Sequence, residues 1–576
     1  MTLSKRPRQS LLATLLLSFS LAGCSTTPAQ EAPQSEQGSQ PGSSEPLAIQ
    51  YTPLTGQTFY QLLLAEIATN RRDFATAAEL YSRLDRMTDD VEIAQRATVL
   101  NQTIGQYQRM LEHAEHWAEM DPDSAAAWQG VTIAALAVRD FNRADPALRN
   151  WLERDPLAEV ENALIGTEGY SDADWAILLT LLESVAADYP DISALPYARG
   201  QILAEQGEWD ASLRAIRMAR SIEDHPGRGL LEYRILVQQG EIDEAREVIE
   251  ALAERFPDNS QIATAYASFA YADEDQNRSE ILANLFNRFP NEPLIARTFA
   301  RESFDNEDYD TAEALFARLT DSEFADEANY FLGRINQINA RDEMAADFLL
   351  QVQRPPYLIS ALAELSNLWR DDRLSDLQEQ LNEARGDFPN NGPVLWRIEA
   401  DALRRVGQPE QAFQAFNQGL ASYPNEETLL YDQALLAVQL DRIDVLEDNL
   451  TRILEADPDH AMALNALGYT WADRNENLEQ AADYIDRALA MRPDDPAIMD
   501  SKGWVEYRLG NLETAEHWLR RAAEAYDNDE VAAHLAEVLW VMEQREEARQ
   551  WLRHALELDP ESPTAIDFIE RMEVEL

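Results

Sequence analysis

Cysteine occurs once in these 576 residues, at Cys24, so no intramolecular disulfide is available. Lysine is nearly as scarce: Lys5 and Lys502 are the only two, and arginine carries almost all of the positive charge. Basic residues number 48 against 104 acidic ones, a net charge of −56. Such a surface repels phosphate backbones and anionic headgroups, which disfavours nucleic acid as a partner. The acidity reads as a solvated surface suited to a salty habitat, as a docking surface for a basic partner, or as both. Glycine is sparse at 21 and no sustained run of alternating β-branched residues occurs, so the 45% apolar content favours helix over sheet. No GxxxxGK phosphate loop and no GxSxG nucleophile elbow is present. Carboxylates are too abundant for any pair of them to mark a general acid and base. Among the seven histidines only His113 and His116 are close enough to share a helix face; Glu112 and Glu115 flank them, but no third ligand is indicated. The expectation is no enzyme, no metal, no cofactor and no small-molecule substrate.

In place of chemistry the chain has repetition. Between residues 464 and 560 it returns on itself about every 34 residues. Gly468 is followed by Gly503, and Ala481 by Ala515 and Ala548. Four positions after each alanine stands an apolar residue (Ile485, Leu519, Leu552), and three later a small one (Ala488, Ala522, Ala555). Pro493 and Pro560 close the first and third units, with Asp527 in that place in the second. Small residues let one helix lie close against the next, and bulky ones at helical spacing fill the seam. A proline ends the second helix because it lacks an N–H and clashes with a further turn. The pattern resembles the tetratricopeptide repeat (TPR), a hairpin of two helices. One hairpin cannot bury its own apolar face, so the resemblance implies a stack that grows by nearest-neighbour contacts.

Prolines recur at the closing position from Pro122 through Pro156, Pro190, Pro257 and Pro424 to Pro560. Ala77, Ala144, Ala245, Ala312, Ala345 and Ala412 take the small position of the second helix. The expected architecture is all-α: a TPR superhelical solenoid of roughly 15 hairpins over residues 58–560, with 561–576 as a C-terminal capping helix. Between 161 and 174, Gly166 and Gly169 predict a broken helix or a kink.

Residues 1–23 have a basic start (Lys5, Arg6, Arg8), an apolar core (Leu11, Leu12, Leu15, Leu16, Leu17, Phe19) and then Leu21-Ala22-Gly23 before Cys24. The run is too short to span a bilayer, and its charge layout is that of a secretory signal peptide. The ending resembles a bacterial lipobox, which implies cleavage before Cys24 and lipidation of its thiol. Aspartate in the next position would imply retention at the inner membrane, so Ser25 implies sorting to the outer membrane. Residues 25–46 have the composition of a disordered tether, and about 20 such residues reach roughly 25 Å. Residues 47–54 are apolar and read as a cap on the first hairpin, or as a strand for a partner or the solenoid's own groove. The segment 24–57 thus holds the lipidated cysteine, the tether and this apolar stretch.

In TPR proteins the first helix of each hairpin lines a concave face. The resemblance implies that the residue after the glycine position, and those three and four beyond it, point into a groove. In the last three units these are Tyr469, Ala472 and Asp473, then Trp504, Tyr507 and Arg508, then Glu537, Trp540 and Val541. The family's packing positions are taken by Leu464, Leu467, Leu535 and Leu539, which leaves Trp504 and Trp540 for a protein partner. Large aromatics beside arginine are what peptide hot spots use, although an aromatic stripe at helical spacing is also what a core looks like. The lysine–asparagine clamp of chaperone-binding TPR domains is absent, though Asn465 is present. Lipobox, tether and repeats together resemble the proteobacterial outer-membrane TPR lipoproteins that serve as adaptors for a periplasmic carboxyl-terminal processing protease, the LbcA type. That resemblance implies a periplasm-facing scaffold, held to the membrane by its lipid anchor. It would bind the protease and its protein substrates, among them peptidoglycan hydrolases, and promote regulated proteolysis. The alternative is a TPR lipoprotein of an envelope assembly or export machine, for polysaccharide secretion or pilus and secretin assembly.

Overall fold

The computed structural model describes residues 55–575 apart from Ile165, Glu168, 274–276 and 370–372. The signal peptide, Cys24, the tether and the apolar segment 47–54 lie outside the described residues. Among those described, thirty α-helices are joined by turns and short 3-10 segments, with no strand. Fourteen helix pairs form hairpins, from Gly56–Asn70 with Phe74–Asp85 to Asp529–Val541 with Arg545–Leu558. A fifteenth unit has a 3-10 turn, Val160–Leu164, before its single helix Asp172–Asp188, and Pro563–Met572 comes last. The all-α class and the number of hairpins agree with the sequence reading. The chain divides into two compact units, Met1–Phe299 and Ala300–Leu576, each a stack of hairpins with consecutive helices in contact.

The turn inside most hairpins is built the same way among the described residues. The first helix ends, one residue takes a left-handed backbone, and the next amide reaches the carbonyl five residues back: Asp140 to Ala135 (2.8 Å), Gln408 to Leu403 (2.8 Å), Asn511 to Glu506 (2.9 Å). This Schellman geometry satisfies carbonyls that a helix end leaves free. Glycine supplies the left-handed residue at some turns, such as Gly407 and Gly510, but Arg72, Arg139, Glu307, Ala340, Asp441, Asn475 and Glu543 adopt it as well. A glycine-poor chain therefore still makes many hairpins. Between hairpins the predicted prolines sit in the turns after second helices. Ser124, Asn259, Asp495 and Asn528 then cap the next first helix through their side-chain oxygens.

Packing follows the repeat. Ala481, Ile485, Ala488, Ala515, Leu519, Ala522, Leu552 and Ala555 are all fully buried. A Cβ on Gly468 would stand 2.8 Å from Ile485 Cγ1 and 2.9 Å from the Ala481 carbonyl oxygen. Gly200 and Gly333 meet Ile216 and Leu349 just as closely. The close approach thus extends to hairpins well before residue 464. In the first unit the helix predicted to break does so: Gly166 has φ +89°, and a capping box between Ser171 and Asp174 restarts the helix. Val160, Ala163 and Leu164 of the interrupted stretch pack into the core with Leu136, Leu178 and Leu182, so the stack stays filled where a helix is missing. The last helix buries Ala565 and Phe568 completely against the preceding hairpin.

Candidate functional site

First helices of successive hairpins lie side by side in the second unit: Ala461–Asp473 touches Pro496–Arg508, which touches Asp529–Val541, which touches Pro563–Met572. One repeat period therefore separates residues that are neighbours in space. The inward positions expected from the sequence fall on this layer, and it joins most of them to one another. Trp504 stacks on His534, ring centroids 4.0 Å apart and 22° from parallel. His534 Nδ1 donates to the Asp500 carboxylate at 3.0 Å. Burial works against a charged imidazole, but Asp500, with Glu530 and Glu537 behind it, outweighs that and raises the His534 pKa to about 9. The indole face of Trp504 thus covers a cation. The Tyr469 hydroxyl donates to Glu530 at 2.7 Å, and burial followed by the Glu530 charge pushes that hydroxyl well above its ordinary value.

Farther along the layer Tyr507 donates to Glu537 Oε1 (2.8 Å) and Arg571 to Glu537 Oε2 (2.7 Å). Arg508 donates to the carbonyls of Ala472 (3.1 Å) and Asp473 (2.7 Å), with its guanidinium over Trp504. Trp540 meets the edge of Phe568 and has Arg545 4.0 Å above its ring. Asp473 and Val541 are exposed, while Tyr507, Arg508 and Trp540 are half-buried.

Three of the positions expected to point into the groove are therefore interior, Ala472 among them at 0% exposed. Trp504 is 4% exposed and Glu537 2%. Trp504 does have a core slot, made by His534 of the next first helix and Tyr507 one turn along its own, and Glu537 is closed in by Tyr507 and Arg571. The sequence reading missed His534, Asp500, Glu530 and Arg571. A signal was available: Asp500 and His534, like Glu537 and Arg571, are 34 residues apart, which places them side by side on adjacent first helices. The two histidines read as a shared helix face also move inward. His113 is buried with Nδ1 2.5 Å from Asp85 Oδ2, and His116 Nδ1 lies 2.9 Å from Asp85 Oδ1. Both imidazoles meet an aspartate of the preceding hairpin, and among the described residues no cluster of three side chains has the make-up of a metal site.

Sequence comparison finds the same repeat. Two family models, each described as tetratricopeptide repeat, match residues 230–284, 431–496 and 472–530, and residues 530–562. The chain is 34% identical over 490 residues to a TPR repeat-containing protein, PA4667, of Pseudomonas aeruginosa, covering 84% of this chain and 83% of that one. It is 26% identical over 149 residues to bacteriophage adsorption protein A of Escherichia coli, covering 26% of this chain and 14% of that one. Among solved structures, the Cut9 and Hcn1 hetero-tetramer of the APC/C aligns over 90% of this chain and 96% of the matched chain, at 14% identity and a TM-score of 0.34.

Proposed function

This chain belongs to the TPR proteins, and from that premise we propose that it is an outer-membrane-anchored, periplasm-facing adaptor that binds a carboxyl-terminal processing protease together with the protease's substrates. Its repeats make a scaffold for protein–protein interaction. The observation that carries the finer reading is the order of parts along the chain: a lipobox whose cysteine is the only one present, Ser25 after it, and then a repeat array. Among the described residues no helix is long and apolar enough to cross a membrane. In this reading the lipid on Cys24 supplies the attachment. A scaffold held near the membrane raises the local concentration of a protease and its substrate by binding both. Peptidoglycan hydrolases are the substrates this reading favours, and their removal would limit cell-wall growth.

Crosslinking the mature protein in its own cell envelope tests the reading. Capture of a serine protease and a peptidoglycan hydrolase is the expected result. Capture of a secretin or a polysaccharide synthase instead would place the protein in an assembly or export machine. Anchoring is tested separately: Cys24→Ser removes the acyl acceptor, so the folded protein should leave the outer-membrane fraction.

A further inference from the structure

Along the first-helix layer of the second unit, arginine is usually matched by a carboxylate. Arg334 pairs with Glu364 (3.4 Å), Arg397 with Asp432 (2.5 Å) and Arg571 with Glu537 (2.7 Å). Arg405 departs from this, as does Arg508, which donates to two backbone carbonyls. The Arg405 guanidinium donates to the Ser366 carbonyl and to Ser366 Oγ (3.0 Å), both neutral, and among the described residues no carboxylate pairs with it. A guanidinium has five N–H donors, so most of its capacity and all of its charge remain unmatched. Arg404 beside it holds Asp401 at 3.4 Å, with the arginine side chain 45% exposed.

Asp401, Arg404 and Arg405 are spaced to lie on one face of the helix Gly392–Arg405. With Asn367 and Gln439 they line an open cleft of about 730 Å³. On the next first helix, Glu427–Gln439, Leu435 and Val438 share a face with Gln439 by the same spacing and are each 43% exposed. Arg405, with no carboxylate partner among the described residues, and Arg404, held only by Asp401 of its own helix, therefore adjoin an exposed apolar step.

We propose that this cleft docks an extended segment of a protein partner in which Asp or Glu side chains stand beside apolar ones. Its carboxylates meet Arg404 and Arg405, and its apolar side chains cover Leu435 and Val438. The inference deepens the scaffold reading and rests on it, since it requires the first-helix layer to hold proteins. Charge complementarity selects this occupant, because arginine forks match carboxylates with short, charge-assisted bonds. The net negative charge does not forbid it: at physiological salt, distant charges are screened beyond about 8 Å, and a direct contact is not. First helices continue on both sides of the cleft, Tyr357–Leu368 on one and Glu427–Gln439 on the other. A passing segment fits that setting better than a chain end, so the carboxylates are those of side chains.

Fluorescence anisotropy on the mature chain tests this with four labelled peptides. They are an end-blocked peptide of alternating Leu and Asp, its Leu–Asn and Leu–Lys counterparts, and a Leu–Asn peptide with a free C-terminal carboxylate. The Leu–Asp peptide should bind about ten- to a hundredfold tighter than Leu–Asn, the range that charge-assisted hydrogen bonds supply, and only its binding should weaken with added salt. Arg404→Gln with Arg405→Gln should abolish the preference, with helix content checked by circular dichroism. Leu435→Asn with Val438→Asn should weaken both peptides. Equal binding of Leu–Asp and Leu–Asn, a preference for Leu–Lys, or an undiminished preference in the arginine variant would overturn the proposal. So would equal binding by the free-carboxylate peptide, which would identify a chain end as the occupant. Peptide preference without envelope capture of a protease would sink the adaptor reading alone, and protease capture without peptide preference would sink only this one.

Discussion

His534 is held as a buried cation between Asp500 and the face of Trp504, and its pKa of about 9 ties stability to pH. The folded-state value lies above the ordinary 6.5, so the stabilisation is fully present below about pH 6.5 and is lost as pH rises through 9. Melting temperature should therefore fall between pH 7 and pH 10. In the double variant Asp500→Asn with His534→Gln that step should be missing, and its persistence would assign the fall to other groups. Trp504 belongs to the same cluster. Trp504→Ala should lower stability by about 3–5 kcal/mol, the range for removing a buried aromatic, as read by urea unfolding. A variant as stable as the parent would make Trp504 a free contact residue after all. Sequence reasoning placed Trp504, Tyr507 and Glu537 on the correct helix layer. It did not see that neighbours one period away already occupy two of them.

At the scale of the helix, one substitution type takes opposite signs at two glycines. A Cβ on Gly503 would lie 2.5 Å from Leu519 Cγ and 3.2 Å from the Ala515 carbonyl oxygen, and Leu519 is fully buried. Overpacking of about 1–3 kcal/mol outweighs the gain of about 1 kcal/mol in helix propensity, so Gly503→Ala should destabilise. Gly386, in the helix Leu374–Asp387, has nothing within 4 Å of such a Cβ. Only the propensity gain operates there, and Gly386→Ala should raise the unfolding midpoint. The hairpin turns supply a third case. Ala340 holds φ 54°, a conformation that costs an L-residue about 1–2 kcal/mol. Ala340→Gly relieves that strain and should stabilise, less the extra freedom glycine gains in the unfolded chain. Urea midpoints for the three variants, compared in one buffer, check all three signs.

For the whole molecule, charge imbalance outweighs any single contact. Ion pairs such as Arg442 with Glu410 and Arg520 with Glu547 neutralise acids locally. Yet 104 acidic residues face only 48 basic ones, so most carboxylates have no basic counterpart and repel one another. Poor screening should weaken the stack, because the Debye length grows from about 10 Å at 0.1 M salt to about 30 Å at 0.01 M. Melting temperature should rise with salt across that range. A flat or falling curve would mean that the charges are balanced where they stand.

What the sequence by itself determined was the hairpin: its class, its count, the prolines that close it, the alanines at its seam and the break near Gly166. These follow from helical spacing and from steric limits on single residues, both local in the chain. What only the tertiary structure decided was which inward residues are free. His534 reaches Trp504, Arg571 reaches Glu537 and Asp85 reaches His113 and His116 across the contact between hairpins. None of those partners is marked by its own neighbourhood in sequence. The same holds for Arg405: that it meets Ser366 of the preceding hairpin, and no carboxylate among the described residues, is set by which helix lies against it. Charge pairing depends on separations of a few ångströms, and stacking one hairpin on the next sets those separations.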